Sequence, residues 1–234
     1  MKEKIHKLTK LKFSDIKDMK KLLVYTLLSL VIILLLQIIG YFTFLNSIPD
    51  FLSKYGWWLF YLDISVVSIV GAIWYYESYS GYVSCMASMM IGMTLGMQTG
   101  MMLGSVFGAV NGYFIGAMIG MILGTFIGLI TGTDSVMGMV QGMMSGVMGG
   151  TMGAMITVMM FTDHVLIFMP FYILINIAVL LGFVYMYHDE VIKDNKEVVK
   201  KDISVSLFVF ICVAIAMIFS AVMVYAPKSI LFGG

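Results

Sequence analysis

Glycine recurs at every fourth position without a miss from Gly92 through Gly96, Gly100, Gly104, Gly108, Gly112, Gly116, Gly120, Gly124 and Gly128 to Gly132. Residues four apart lie close to one face of an α-helix, so the series leaves a groove without side chains along any helix that carries it. One helix through the whole series would be roughly 60 Å long, about twice the ~30 Å hydrocarbon thickness of a bilayer. The chain must therefore fold back, and Asn111-Gly112 is the natural turn. After Gly132-Thr133-Asp134-Ser135 the rhythm resumes two residues out of phase at Gly138, Gly142, Gly146 and Gly150, while Ser80, Ser84 and Ser88 extend it backwards.

A bilayer is the relevant solvent because the 234-residue chain is 61% hydrophobic and only 12% charged. Soluble chains average about 45–50% and about 25%. Apolar runs of the ~20 residues needed to cross the hydrocarbon are separated by short polar breaks. The pattern predicts an all-α, polytopic transmembrane helix bundle of about seven spans with a glycine-zipper core. The spans fall near 22–45, 57–76, 82–110, 113–131, 136–161, 165–187 and 203–225. The bundle occupies residues 22–226, with its glycine- and methionine-rich core at 80–161, a basic segment at 1–21, a loop at 188–202 and a short tail at 227–234.

The charges are sorted. All 14 basic residues are lysines; eight lie between Lys2 and Lys21 and four between Lys193 and Lys201. Lysine-rich short segments stay on the cytoplasmic side, so residues 1–21 and 188–202 are expected inside, with six spans between them. The expected location is the cytoplasmic membrane, N-terminus inside and C-terminus outside. The N-terminal segment carries Ile5, Leu8, Leu11, Phe13 and Ile16 at rough helical spacing, which reads as a surface-lying topology anchor, with attraction to anionic lipid as the alternative. It is too long for a signal peptide, and the apolar run that follows reads as a retained span.

An internal repeat links spans 3 and 5. Gly96-Met97-Gln98-Thr99-Gly100-Met101-Met102-Leu103-Gly104 matches Gly138-Met139-Val140-Gln141-Gly142-Met143-Met144-Ser145-Gly146 as G-M-x-x-G-M-M-x-G. Spans two apart point the same way, so a parallel duplication of one hairpin is expected. Helix packing is assigned to Gly92, Gly96, Gly100, Gly104, Gly116, Gly120, Gly124, Gly138, Gly142 and Gly146, since small residues let helix backbones approach within lipid.

Eighteen of the 24 methionines lie between Met86 and Met160, and spans 1 and 2 contain none. Met86, Met90, Met93, Met97 and Met101 form one stripe on span 3, and Met144, Met148, Met152, Met155 and Met159 another on span 5, each about a quarter turn from the glycine face. Methionine is flexible and fills irregular gaps, so one reading is packing. The other is a soft-metal path, because thioethers suit Cu(I) and stacked weak ligands pass an ion from site to site. Cys85, beside Met86, Met89 and Met90, would add a thiol at the inner end.

The M-x-x-x-M steps Met86/Met90 and Met93/Met97/Met101, beside tandem G-x-x-x-G, resemble elements of the eukaryotic copper transporters. That resemblance implies methionine rings lining a Cu(I) pore between subunits. It covers about a tenth of the chain, which departs from the family in its number of spans and in lacking an extracellular methionine- and histidine-rich tail. More broadly, spans 3 to 5 are similar to uncharacterised glycine- and methionine-rich membrane proteins of bacteria, a likeness that implies no activity.

Asp63, inside span 2, is a candidate ion or proton site because an intramembrane carboxylate is costly. Gln37, Gln98, Gln141 and Asn176 read as interhelical hydrogen-bond glue, and Asp163-His164 as a polar outer turn or a first metal stop. Cys85 and Cys212 are not expected to pair. No nucleophile or base constellation, paired catalytic acids or phosphate-cradling loop appears, so an enzyme is not expected, and nothing points to nucleic acid. Two functions remain: a soft-metal, Cu(I)-like transporter or channel, and a structural or assembly subunit, homo-oligomeric or in a complex, whose only other partner is the lipid bilayer.

Overall fold

The computed structural model describes residues 23–39, 51–80, 83–160, 164–188, 199–200 and 205–228. The basic N-terminal segment, most of the loop at 188–202, Asp163 and the end of the tail lie outside these residues. Among the described residues there are seven helices: α1 (Leu23–Ile39), α2 (Phe51–Ser78), α3 (Cys85–Asn111), α4 (Tyr113–Thr131), α5 (Val136–Met159), α6 (Val165–Tyr187) and α7 (Val205–Tyr225). The remaining regular structure among the described residues is a two-residue antiparallel pairing of β1 (Tyr79–Ser80) with β2 (Val199–Lys200).

Five of these helices, α2, α4, α5, α6 and α7, are long and apolar enough to cross a membrane, so the protein is a membrane protein. The sequence pattern predicts seven such spans, and the two exceptions have physical reasons. α1 is a shorter apolar helix over its described residues. α3 has 27 residues, ample length, but its glycines, serines and threonines dilute its apolar character. It is also the most enclosed helix, buried almost continuously from Gln98 to Asn111. A helix surrounded by other helices need not carry lipid-compatible side chains, so hydropathy under-reads it.

The turns follow local chemistry. Ser84 caps α3 by accepting a hydrogen bond from the Ala87 amide at 3.2 Å, and Ser135 caps α5 by accepting from the Gly138 amide at 2.9 Å. Between α3 and α4 stands the single residue Gly112 at φ 92°, a backbone conformation that L side chains rarely adopt. The chain thus reverses at the Asn111-Gly112 position that the sequence marks.

The remaining helices alternate in direction. Lys228, just beyond α7, lies 4.8 Å from the ring centre of Tyr55 near the start of α2. Asn111, at the end of α3, donates to the carbonyls of Met223, Ala226 and Pro227 at 3.3, 3.3 and 3.2 Å. The start of α2 and the ends of α3 and α7 therefore share one end of the bundle. At the other end Tyr76 donates to Asp134 at 3.1 Å and Tyr187 donates to the Tyr79 carbonyl at 2.9 Å, beside the β1–β2 pairing.

α3 has two different sides. One presents glycine to α4 and α5. The other contributes Ile91, Leu95, Met102, Val106, Phe107 and Val110 to a single apolar core with α2, α6 and α7. Phe107 meets Phe219 of α7 edge-on at 5.9 Å between ring centres, and Trp74 of α2 meets Phe208 of α7 at 5.0 Å.

Asn111 donates to the Met223 carbonyl in the last turn of α7, which has no partner within its own helix, and to the Ala226 and Pro227 carbonyls just beyond that helix. Lys228, which also donates to the Met223 carbonyl, has its pKa lowered from the ordinary lysine value by burial and so makes a costlier cation. Asn111→Ala should therefore cost about 1–3 kcal/mol, the usual penalty for orphaning buried polar groups. We expect a lower thermal midpoint in detergent with unchanged far-UV helicity; an unchanged midpoint would exclude this role.

Candidate functional site

Helices α3, α4 and α5 meet backbone to backbone along a shared axis. Gly92, Gly132 and Gly138 form one tier, followed by Gly96, Gly128 and Gly142, then Gly100, Gly124 and Gly146, then Gly104, Gly120 and Gly150. Gly116 against Gly108, and Gly108 against Ala154, end the stack. A Cβ added to Gly92 would lie 2.9 Å from the Gly138 carbonyl oxygen; on Gly96, 2.7 Å from that of Gly142; on Gly104, 2.7 Å from that of Gly150; on Gly124, 2.9 Å from that of Gly96. All lie under the 3.0 Å that real Cβ atoms essentially never breach, and each opposing atom is backbone, which cannot swing away. Every glycine assigned to packing from the sequence, from Gly92 to Gly146, is buried in this trio.

The tiers establish direction. α3 and α5 run parallel, with Gly92, Gly96 and Gly104 facing Gly138, Gly142 and Gly150 in order, while α4 runs antiparallel to both. A second glycine column escaped the sequence reading: Gly149 and Gly153 on α5 press against the backbones of Met97 and Met101 on α3. The signal was present, since the two are also four apart, but the longer series through Gly150 masked it.

Hydroxyls inside the trio serve mainly their own helices. Thr99 donates to the Leu95 carbonyl at 2.7 Å, Ser145 to that of Gly142 at 2.8 Å and Thr157 to that of Ala154 at 3.1 Å. Ser88 is different, donating across to the Gly132 carbonyl at 3.3 Å. Cohesion in the trio therefore comes chiefly from close backbone contact.

The α5 methionine stripe and the first half of the α3 stripe lie on the outside. Met86, Met90 and Met93 are exposed on the first half of α3, with Met97 and Met101 half-buried behind them, and Cys85 is an exposed free thiol at the start of that helix. Met144, Met148, Met152, Met155 and Met159 are all exposed on α5, reaching 68% at Met159. The axis of the trio is filled by glycine backbone, so neither stripe lines a passage through it. Among the described residues no group of three or more His, Cys, Asp or Glu side chains is placed to hold a metal ion.

Asp63 is fully buried in α2. Its Oδ1 accepts from Gln37 Nε2 of α1 at 2.8 Å, and its Oδ2 has no hydrogen-bond partner. Of the four amides read as interhelical glue, Gln37 forms such a bridge. Asn176 instead donates to the Tyr172 carbonyl of its own helix at 2.7 Å, and the Oε1 of Gln98 is buried without a partner. An amide near its own helix carbonyls competes with cross-helix pairing, which spacing in sequence does not reveal.

The chain matches no family model, no curated protein and no solved structure.

One comparison isolates the glycine effect. Gly182, on the exposed side of α6, has nothing within 4 Å of an added Cβ. Gly182→Ala should be neutral or stabilising, since alanine exceeds glycine in helix propensity by about 1 kcal/mol. Gly96→Ala and Gly124→Ala should each cost about 1–3 kcal/mol through overpacking, and leucine at Gly100 or Gly142 should abolish folding. Thermal midpoints in detergent read this, and equal midpoints for the Gly96, Gly124 and Gly182 variants would refute it.

Proposed function

We propose that the protein is a structural or assembly subunit of the membrane, built on a glycine zipper of α3, α4 and α5 that carries methionine on its outer surface. The observation behind this reading is the division between the two residue types: glycine fills the axis of the trio, while the whole α5 methionine stripe and Met86, Met90 and Met93 of α3 face outward. A flexible, polarizable thioether surface adapts to varied neighbouring helices. Its partners would be a second copy of the chain or other membrane subunits, with no catalysis involved. The lysine sorting supports insertion in the cytoplasmic membrane with the N-terminus inside and the C-terminus outside, and α1 and α3 complete a set of seven spans.

A soft-metal, Cu(I)-like transport role is the second reading. It is favoured by the exposure of Cys85, Met86, Met90 and Met93 along one strip of α3, where sulfurs from several copies would converge on an ion between subunits. Asp63 joins either reading as a buried acid with one oxygen open to a proton or a cation.

Two sets of variants separate the readings. Leucine at Met144, Met148, Met152, Met155 and Met159 keeps apolar bulk and removes sulfur; tryptophan at Met148 and Met152 changes the shape of the face. We expect wild type and the leucine variant to give the same oligomeric mass in nanodiscs and the same silver uptake in cells. The tryptophan variant should shift toward monomer by at least fivefold. A monomeric wild type would overturn the assembly role, whereas loss of silver uptake in the leucine variant with assembly intact would establish transport.

A further inference from the structure

Away from the glycine trio, α1, α2 and α6 enclose a groove of about 340 Å³. That volume is at the small end of the roughly 300–1,000 Å³ typical of ligand pockets. Gly71 and Ala72 line it, Leu27 and Leu181 are exposed along its edges, and Ile64 and Ile177 add further apolar surface. Only two hydroxyls reach it, and both are already engaged: Thr26 donates to the Leu23 carbonyl at 2.9 Å and Ser68 to the Ile64 carbonyl at 2.7 Å. The groove therefore offers an occupant apolar contact and no hydrogen-bond donor. Along α2, from Ile64 to Ala72, it is about 12 Å long at ~1.5 Å per residue, the proportions of a slot for a linear chain.

We propose that this groove seats one acyl chain of an anionic phospholipid drawn from the leaflet at the Leu23 end. Charge complementarity selects the headgroup. Leu23 lines the groove, and Lys20 and Lys21 precede it by three and two residues. Lysines beside the membrane surface attract anionic lipid. The same charges disqualify the chain's own N-terminal segment as occupant. With eight lysines between Lys2 and Lys21, it could not enter a slot without polar partners unless it buried unpaired charge.

The full-length protein carrying Leu181→p-benzoylphenylalanine, reconstituted in vesicles of phosphatidylcholine and phosphatidylglycerol at three to one, tests this by photo-crosslinking and mass spectrometry of the adduct. Phosphatidylglycerol should be enriched in the adduct severalfold over its share of the vesicle. Ser68→Phe, which fills the groove, should lower the adduct yield at least fivefold, and glutamine at Lys20 and Lys21 should abolish the enrichment while sparing the yield. Ile177→Trp fills the slot from α6 and replaces Ser68→Phe should that variant not fold. An adduct of bulk lipid composition, an unchanged yield in the filled variants, or crosslinking to the N-terminal segment or to a second copy would each overturn the proposal.

Discussion

Everything in this structure depends on the contact between glycine backbones in α3, α4 and α5. Lipid tails are as apolar as leucine side chains, so water cannot drive helices together inside a bilayer. What remains is dispersion between closely approaching backbones and weak Cα–H contacts to carbonyl oxygens. The atoms that an added Cβ would strike at Gly92, Gly96, Gly104 and Gly124 are carbonyl oxygens of the facing helix, which puts each Cα beside an acceptor. Such contacts are individually small. Their repetition along the length of three helices makes the trio cohesive.

The trio in turn sets the character of its neighbours. Because α3 is enclosed, it tolerates Thr99, Ser105 and Gln98 in buried positions, at the expense of its own hydropathy. Its reverse side then has to supply bulk, and Leu95, Val106 and Phe107 do so against the large apolar residues of α2, α6 and α7. α3 is thus a hinge between two kinds of packing, close backbone contact on one side and interlocking side chains on the other. Methionine on α5 is placed where neither kind applies, on the face turned away from both.

Much of this was legible in the sequence because glycine at period four and helix length are local signals. They gave the fold-back at Gly112, the antiparallel α4 and the parallel pair α3 and α5. The direction in which the methionines point was not legible. A stripe a quarter turn from the glycine face can turn toward a third helix or away from it, and the choice depends on where α2, α6 and α7 dock. The Gln37–Asp63 bridge and the Asn111 contacts to α7 were hidden for the same reason, since they join residues far apart in sequence.

The register between α3 and α5 shows why a repeat alone is insufficient. By the internal repeat Gly96 corresponds to Gly138, yet in the structure Gly96 lies against Gly142, one helical turn further on. A period of four makes these arrangements nearly equivalent, because sliding one helix by a turn again sets glycine on glycine. The degeneracy is removed by the connections. The single residue Gly112 fixes α4 against α3, with Gly116 beside Gly108, and the short turn capped by Ser135 fixes α5 against α4, with Gly138 beside Gly132. Two tight antiparallel turns therefore determine a parallel pairing that neither helix specifies by itself. Lengthening the turn between Gly132 and Ser135 would free α5 to slip by four residues while keeping its glycine contacts, moving every methionine on its outer face by about 6 Å along the helix axis.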